Sequence, residues 1–224
     1  MRKTKEFDAV VFDMDGVIFD SERLVLQCWE KVAEKYHYSG MHEVFFPCIG
    51  TNKVKTKEIL LDYYGGDFPY EEFNGEASAL FQQITQRDGL PVKKGARELM
   101  EYLGRRGIPM AVASSTRLQR VTEELEQARL YDYFRVVTGG DQLKRSKPDP
   151  DIYLMTCEKM GVQPGNAYAI EDSHNGIRAS YSAGMRPIMV PDMLPATDEM
   201  REKSVIILED LLQVRDWFCR EYPE

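Results

Sequence analysis

Cysteine and histidine are scarce and scattered in this chain: four cysteines (Cys28, Cys48, Cys157, Cys219) and three histidines (His37, His42, His174), with no Cys-x-x-Cys pair. A structural zinc site or a disulfide framework needs a denser set at closer spacing, so neither is expected and the thiols read as reduced. No apolar run approaches the roughly 20 residues of a membrane span. The opening residues, Met1-Arg-Lys-Thr-Lys-Glu6, are basic but lack the apolar stretch and small-residue cleavage pattern of a signal peptide. A cytoplasmic protein without a membrane partner is the expectation. Acidic residues outnumber basic ones, 37 to 29, for a formal charge of −8, which argues against a nucleic-acid partner. Internal repeats and low-complexity linkers are absent. What remains, 224 residues with 43% hydrophobic content, suffices for one sizeable core, or a core and a small accessory unit.

Residues 8–16 read Asp-Ala-Val-Val-Phe-Asp-Met-Asp-Gly. The apolar run from Ala9 to Phe12 is short and β-branched, as expected of a buried strand in a parallel sheet. Asp13 and Asp15 then stand at its carboxyl end, the edge at which open α/β sheets bind ligands. Spaced by two, they can point into one crevice, and Gly16 permits the abrupt turn that follows. Aspartate and glycine are also ordinary turn formers, so this segment alone leaves both readings open.

Later segments repeat the pattern. Pro-Met-Ala-Val-Ala at 109–113 runs into Ser114-Ser115-Thr116, ahead of a helical pattern carried by Leu118, Val121 and Leu125. Hydroxyls and free N–H groups at a helix start suit an anion, or a simple Ser/Thr N-cap. Ser146-Lys147-Pro148-Asp149-Pro150 puts a lysine in a proline-stiffened loop before a helix expected over about 150–160. Lys147 there is either a fixed cation or a solvated surface residue. Ala-Tyr-Ala-Ile at 167–170 runs into Glu171-Asp172-Ser173, two acids that suit a metal site or a helix N-cap.

Asp13, Asp15, Ser114, Lys147 and Asp172, in this order, resemble the four signature motifs of the haloacid dehalogenase superfamily. Phe-Asp-Met-Asp-Gly-Val, Ala-Ser-Ser, Ser-Lys-Pro-Asp-Pro and Glu-Asp-Ser-x-x-Gly-Ile are similar to the branch containing β-phosphoglucomutase and many small-metabolite phosphatases. The resemblance implies an α/β protein: a Rossmann-like doubly wound parallel sheet core over 1–20 and 92–224, with an inserted α-helical cap over 21–91. It implies Asp13 as the nucleophile that carries an aspartyl-phosphate, and Asp15 as general acid and then base. Mg²⁺ would be held by Asp13, the backbone carbonyl of Asp15, and Asp172 with Glu171 beside it. Ser114, Ser115 and nearby amides would hold the phosphoryl oxygens while Lys147 balances charge. The partner implied is a small phosphorylated metabolite, and a monomer is expected. Dehalogenases lack an acid at the position of Asp15, so halide displacement is not expected.

Between Asp20 and about Pro91 the chain reads as helical patterns without strands, which suggests the inserted unit. Val25, Trp29, Val32 and Tyr36 form one expected buried stripe. Ile59, Leu60 and Tyr63 suggest a second helix ended by Gly65-Gly66, and Phe73, Ala77, Leu80, Phe81 and Ile84 a third. Ile49-Gly50-Thr51-Asn52-Lys53 resembles the family's specificity loop, making Gly50, Thr51 and Lys53 candidate substrate-binding residues. Lys53, Lys55 and Lys57 equally suit a solvated helix face. Sugar-phosphate mutases of this branch carry a histidine early in the first cap helix, where this chain has Arg23-Leu24-Val25-Leu26. They also carry a cap lysine near the position of Asn74-Gly75-Glu76. Both departures favour hydrolysis. The expected function is therefore a Mg²⁺-dependent phosphatase acting on a sugar phosphate or nucleoside monophosphate. The alternatives are a β-phosphoglucomutase-like mutase and an inactive relative that binds a phosphorylated ligand or a protein.

Overall fold

Four consecutive residues with no exposed surface, Ala9, Val10, Val11 and Phe12, form the central strand β1 (Ala9–Phe12) of a computed structural model that describes residues 7–49 and 53–223. The chain divides into two compact units, Met1–Phe19 with Pro91–Glu224, and Asp20–Leu90.

After β1 the chain enters the second unit, which consists of α1 (Ser21–Lys35), α2 (Met41–Phe45), α3 (Lys53–Tyr64) and α4 (Tyr70–Asp88), with no strand among its described residues. The buried face of α1 is broader than the expected stripe. Leu24, Cys28 and Val32 recur at i, i+4 and i+8 beside Trp29 and Ala33, whereas Val25 and Tyr36 are only half-buried. Trp29 is the hub, edge-on to Phe45 at 5.2 Å and to Phe73 of α4 at 5.8 Å between ring centroids. Rings of this size exclude a narrow helix seam and draw both flanks of α1 into contact. On α3, Leu60 is buried but Tyr63 is 52% exposed, so the second expected stripe reduces to one residue. On α4, Phe73, Ala77 and Phe81 are buried with Tyr70.

The first unit resumes with α5 (Ala96–Arg105), β2 (Met110–Ser114), α6 (Leu118–Gln127), β3 (Phe134–Gly139), α7 (Asp151–Met160), β4 (Ala167–Glu171), α8 (His174–Ser182), β5 (Arg186–Met189), α9 (Asp198–Lys203), β6 (Ile206–Ile207) and α10 (Leu211–Glu221). Its sheet runs β3-β2-β1-β4-β5-β6 and every pair is parallel. Ala9, Val11, Ala111, Ala113, Ala167 and Ala169 face Ile152, Tyr153, Cys157 and Met160 of α7 and Ala179 of α8. Alanines on the strands let these helices approach closely. On the opposite face Tyr168 packs edge-on to Trp217 and Phe218 of α10 at 5.5 and 5.2 Å. Covering both faces is why the strands read as apolar runs rather than as alternation.

The connections from β1 go to β2 on one side, while β4 pairs on the other. Such a reversal opens a crevice at the strands' carboxyl ends. Phe12 is in register with Val112 and Ile170, so Asp13 follows level with Ala113 and Glu171, and its N–H donates to Ile170 O at 2.9 Å. No described helix is long and apolar enough to cross a membrane.

Candidate active site

At this edge the loop after β3 delivers Lys147, whose side chain is only 7% exposed, which removes the solvated reading. Its Nζ donates to Asp13 Oδ1 at 2.5 Å, Glu171 Oε1 at 2.6 Å and Ala113 O at 3.2 Å. An ammonium has three donors, and these acceptors use all of them. The loop is held locally by Arg145, which grips Asp151 at the start of α7 through Nε at 3.1 Å and Nη2 at 2.6 Å, and by Asp149 N–H on Ser146 O at 3.0 Å.

Glu171, the last residue of β4, has no exposed surface. Its Oε1 also accepts the Tyr153 hydroxyl at 2.6 Å, and its Oε2 accepts Ser173 Oγ at 3.1 Å and Ser173 N–H at 3.4 Å. Asp13, Glu171 and Asp172 each bring a carboxylate oxygen within 4.8 Å of the others. Two glycines make room for this group. A Cβ on Gly176 in α8 would overlap the Glu171 carboxylate, and one on Gly16, whose φ of +80° already favours glycine, would strike Asp172. Neither acid is a helix cap: Ser173 caps α8, its Oγ accepting Gly176 N–H at 3.0 Å.

Asp15 lies in a tight turn closed by Gly16 N–H on Phe19 O at 2.8 Å and Ile18 N–H on Met14 O at 2.9 Å. Its Oδ2 accepts Thr116 Oγ1 at 3.0 Å. The Asp15 carboxylate is outside the group of three acids; its expected part in metal binding was through its carbonyl. Ser114 is fully buried and its Oγ accepts Thr116 N–H at 3.0 Å, while Ser115 is exposed. The Ser/Thr segment does not cap α6, whose N-cap residue is Arg117 and whose Leu118 N–H donates to Asp141 Oδ1 at 2.8 Å.

Within the second unit, Lys53 is 66% exposed and pairs with Glu71 at 3.3 Å, the same carboxylate that takes Lys57 at 3.0 Å. Gly50 and Thr51 lie outside the described residues. His174 Nε2 lies 2.9 Å from Pro195 O, as part of the α8 start.

Burial, offset by Lys147 and reinforced by Glu171 and Asp15, holds the Asp13 carboxyl well above the usual carboxylate range. Asp172 is raised in the same way by burial and by the charges of Glu171, Asp13 and Asp192. Burial pulls the Lys147 ammonium down, but the Asp13 and Glu171 carboxylates outweigh it and leave it above its ordinary value. Three carboxylates against one ammonium leave a formal charge of −2 when ionised. Hard oxygen donors carrying that excess can hold a divalent cation, and the cation would supply the charge that burial denies the acids.

Four contributors escaped the reading of the sequence as site residues. Thr116 stood beside the serines without being singled out, and Tyr153 lies unremarked inside the helix expected over about 150–160. Gly176 was in view only as the glycine of Glu-Asp-Ser-x-x-Gly-Ile, not as the residue that makes room for the Glu171 carboxylate. Asp192, three residues past the end of β5 and paired to Lys93 at 2.6 Å, repeats the acid-after-strand pattern and is traceable by it.

The family model described as haloacid dehalogenase-like hydrolase matches residues 10–190. The chain belongs to that family. All the residues gathered at the sheet edge except Asp192 fall inside the match. Among related haloacid dehalogenase-like proteins, a phosphorylated carbohydrates phosphatase of Thermotoga maritima is 32% identical over 185 residues, covering 81% of this chain and 83% of the relative. A beta-phosphoglucomutase of Bacillus subtilis is 30% identical over 213 residues, covering 90% and 92%. The crystal structure of a HAD family hydrolase from Deinococcus radiodurans R1, with bound phosphate and sodium, superposes with a TM-score of 0.82 at 25% identity, covering 96% of each chain.

Proposed function

We propose that this haloacid dehalogenase-like hydrolase is a Mg²⁺-dependent phosphatase acting on a small phosphorylated metabolite, a sugar phosphate or a nucleoside monophosphate. The observation that carries this reading is the grouping of Asp13, Glu171 and Asp172 around buried Lys147, with Asp15 two residues beyond the nucleophile. Asp13 attacks phosphorus, the bond from phosphorus to the leaving oxygen breaks, and Asp15 gives that oxygen its proton. Asp15 then takes a proton from water, whose oxygen attacks the aspartyl-phosphate and frees Asp13 and inorganic phosphate. Asp13, Asp172 and the Asp15 carbonyl are the groups that would hold Mg²⁺, with Glu171 beside them adding negative charge; the ion would supply charge neutralisation of the phosphoryl oxygens when bound. Ser114, Ser115 and adjacent amides bind those oxygens, and Lys147 keeps Asp13 oriented and its charge balanced. The inserted unit, 21–91, acts as the cap; Gly50, Thr51 and Lys53 read the leaving group.

The test is phosphate release from a panel of sugar phosphates, nucleotides and polyol phosphates, with Mg²⁺ and with EDTA. Metal-dependent release is expected; silence across the panel would sink the reading. Asp13→Asn should lower kcat by about a thousandfold or more with the circular dichroism spectrum unchanged. A rate within tenfold of the wild type would remove Asp13 as nucleophile.

The similarity to beta-phosphoglucomutase of B. subtilis favours a second reading, phosphoryl return to a sugar. β-Glucose 1-phosphate with its bisphosphate activator separates the two: isomerised sugar phosphate without net phosphate release would select the mutase, despite Arg23-Leu24-Val25-Leu26 on α1.

A further inference from the structure

Tyr153 is packed as a core residue, with no exposed surface, among Ala9, Val11, Ala111, Cys157 and Ala169. A phenylalanine would fill the same volume, so the hydroxyl has a separate task. It donates to Glu171 Oε1 at 2.6 Å, the oxygen that also accepts Lys147 Nζ at 2.6 Å, and the ammonium stands 5.1 Å from the tyrosine ring centroid. The other Glu171 oxygen accepts the hydroxyl and the N–H of Ser173 at 3.1 and 3.4 Å. A carboxylate offers about four acceptor positions, and here the chain itself supplies four donors. Glu171 is thereby committed to its own chain, although it stands within 4.8 Å of Asp13 and Asp172.

We infer that Tyr153 is a positioning residue: its hydroxyl keeps Glu171 Oε1 turned to Lys147, which fixes the ammonium against Asp13 and leaves Asp13 and Asp172 to face the cation. This rests on the Mg²⁺-dependent phosphatase reading of the same site. Glu171 is then the anchor of the lysine and not a direct ligand of the metal. The hydroxyl is suited to the task because a phenol is an obligate donor toward a carboxylate and, rooted in α7, is held by packing alone.

The test compares wild type, Tyr153→Phe, Glu171→Gln and the double variant, each as the full chain. Three quantities are read: kcat and KM for phosphate release, the Mg²⁺ dissociation constant by calorimetry without substrate, and the melting curve by circular dichroism. For Y153F the expected result is a tenfold or larger fall in kcat, a KM within twofold, and Mg²⁺ binding weakened at least threefold, in a protein that still melts cooperatively. In the E171Q background the same substitution should add less than a twofold loss, because the hydroxyl acts through Glu171. Should Y153F not fold, Ser173→Ala, which takes a donor from the other Glu171 oxygen, must weaken Mg²⁺ binding by the same logic. A Y153F protein with kcat or Mg²⁺ affinity within twofold of wild type, or an equal loss with and without Glu171, overturns the inference. A wild type that binds Mg²⁺ but releases phosphate from no substrate fails the phosphatase reading alone, and the calorimetric comparison then decides Tyr153. A wild type that binds no Mg²⁺ overturns both.

Discussion

Lys147 Nζ lies 2.5 Å from Asp13 Oδ1 although 134 residues of chain separate them. Parallel pairing of β1 with β2 and β4 brings the two together, since the strand ends are level and the loop after β3 crosses above them. The pair ties the integrity of the fold to the chemistry of the site.

Lys147→Ala should therefore be a defect of both kinds. Removing one partner of a buried ion pair costs about 3–5 kcal/mol because the other charge stays behind, and here both Asp13 and Glu171 are left. Denaturant melts in EDTA should show a loss of that order, partly restored by Mg²⁺, and kcat should fall about a hundredfold or more. Unchanged stability without metal would contradict the assignment of Lys147 as their counter-charge.

Gly176→Ala sets two effects against each other. Alanine is favoured in a helix by about 1 kcal/mol, yet its Cβ would overlap the Glu171 carboxylate, and overpacking costs about 1–3 kcal/mol. The steric term should win. Equilibrium unfolding should give a net destabilisation, accompanied by a loss of activity. A variant as stable and active as the wild type would show that Glu171 can give way.

Thr116→Val removes the hydroxyl that Asp15 Oδ2 accepts at 3.0 Å while keeping the side chain's shape. Expected is a fall in kcat of about tenfold, with stability changed by about 1 kcal/mol or less, the scale of one hydrogen bond. Steady-state kinetics beside a thermal melt decide it; a raised KM with intact kcat would place Thr116 in binding only.

Asp210 caps α10, accepting Gln213 N–H at 2.9 Å, and pairs with Lys94 at 2.7 Å. The Lys94 hydrogen bond, aided by the Gln213 N–H, holds its carboxyl below the usual range despite partial burial. A carboxyl lowered in the folded state stabilises above its unfolded value, and the benefit is lost as pH falls through the folded one. Asp210→Ala should thus cost about 1 kcal/mol at neutral pH, the worth of an N-cap, and less below about pH 4. The Lys94 pair adds little because that lysine is 73% exposed. Melts across pH should show the two curves converging in acid; a constant gap would count against the cap.

Short apolar runs ending in acids or hydroxyls made β1, β2 and β4 readable, because a parallel strand covered on both faces carries its signal in every residue. β3 was harder, with Arg135 exposed and Val136 and Val137 half-buried, and β6 is two residues long. On α1 the periodicity was legible but its face was not. The buried face takes in Leu24 and Ala33 as well as Trp29, and no period of 3.6 says how wide a stripe an aromatic ring will cover.

The sequence by itself determined which chemical groups stand at strand ends, since backbone periodicity and turn residues are local properties: Asp13, Asp15, Ser114 and the Glu171-Asp172 pair are each adjacent to the run that positions them. Only the tertiary structure decided which of these groups meet, and in what state. By its loop alone Lys147 is either a fixed cation or a surface lysine until two carboxylates are seen to bury it, and Tyr153 gives no sign of a role until its hydroxyl reaches Glu171. Pairing of buried charge is a property of three-dimensional distance and exclusion of water, neither of which is written in residue spacing.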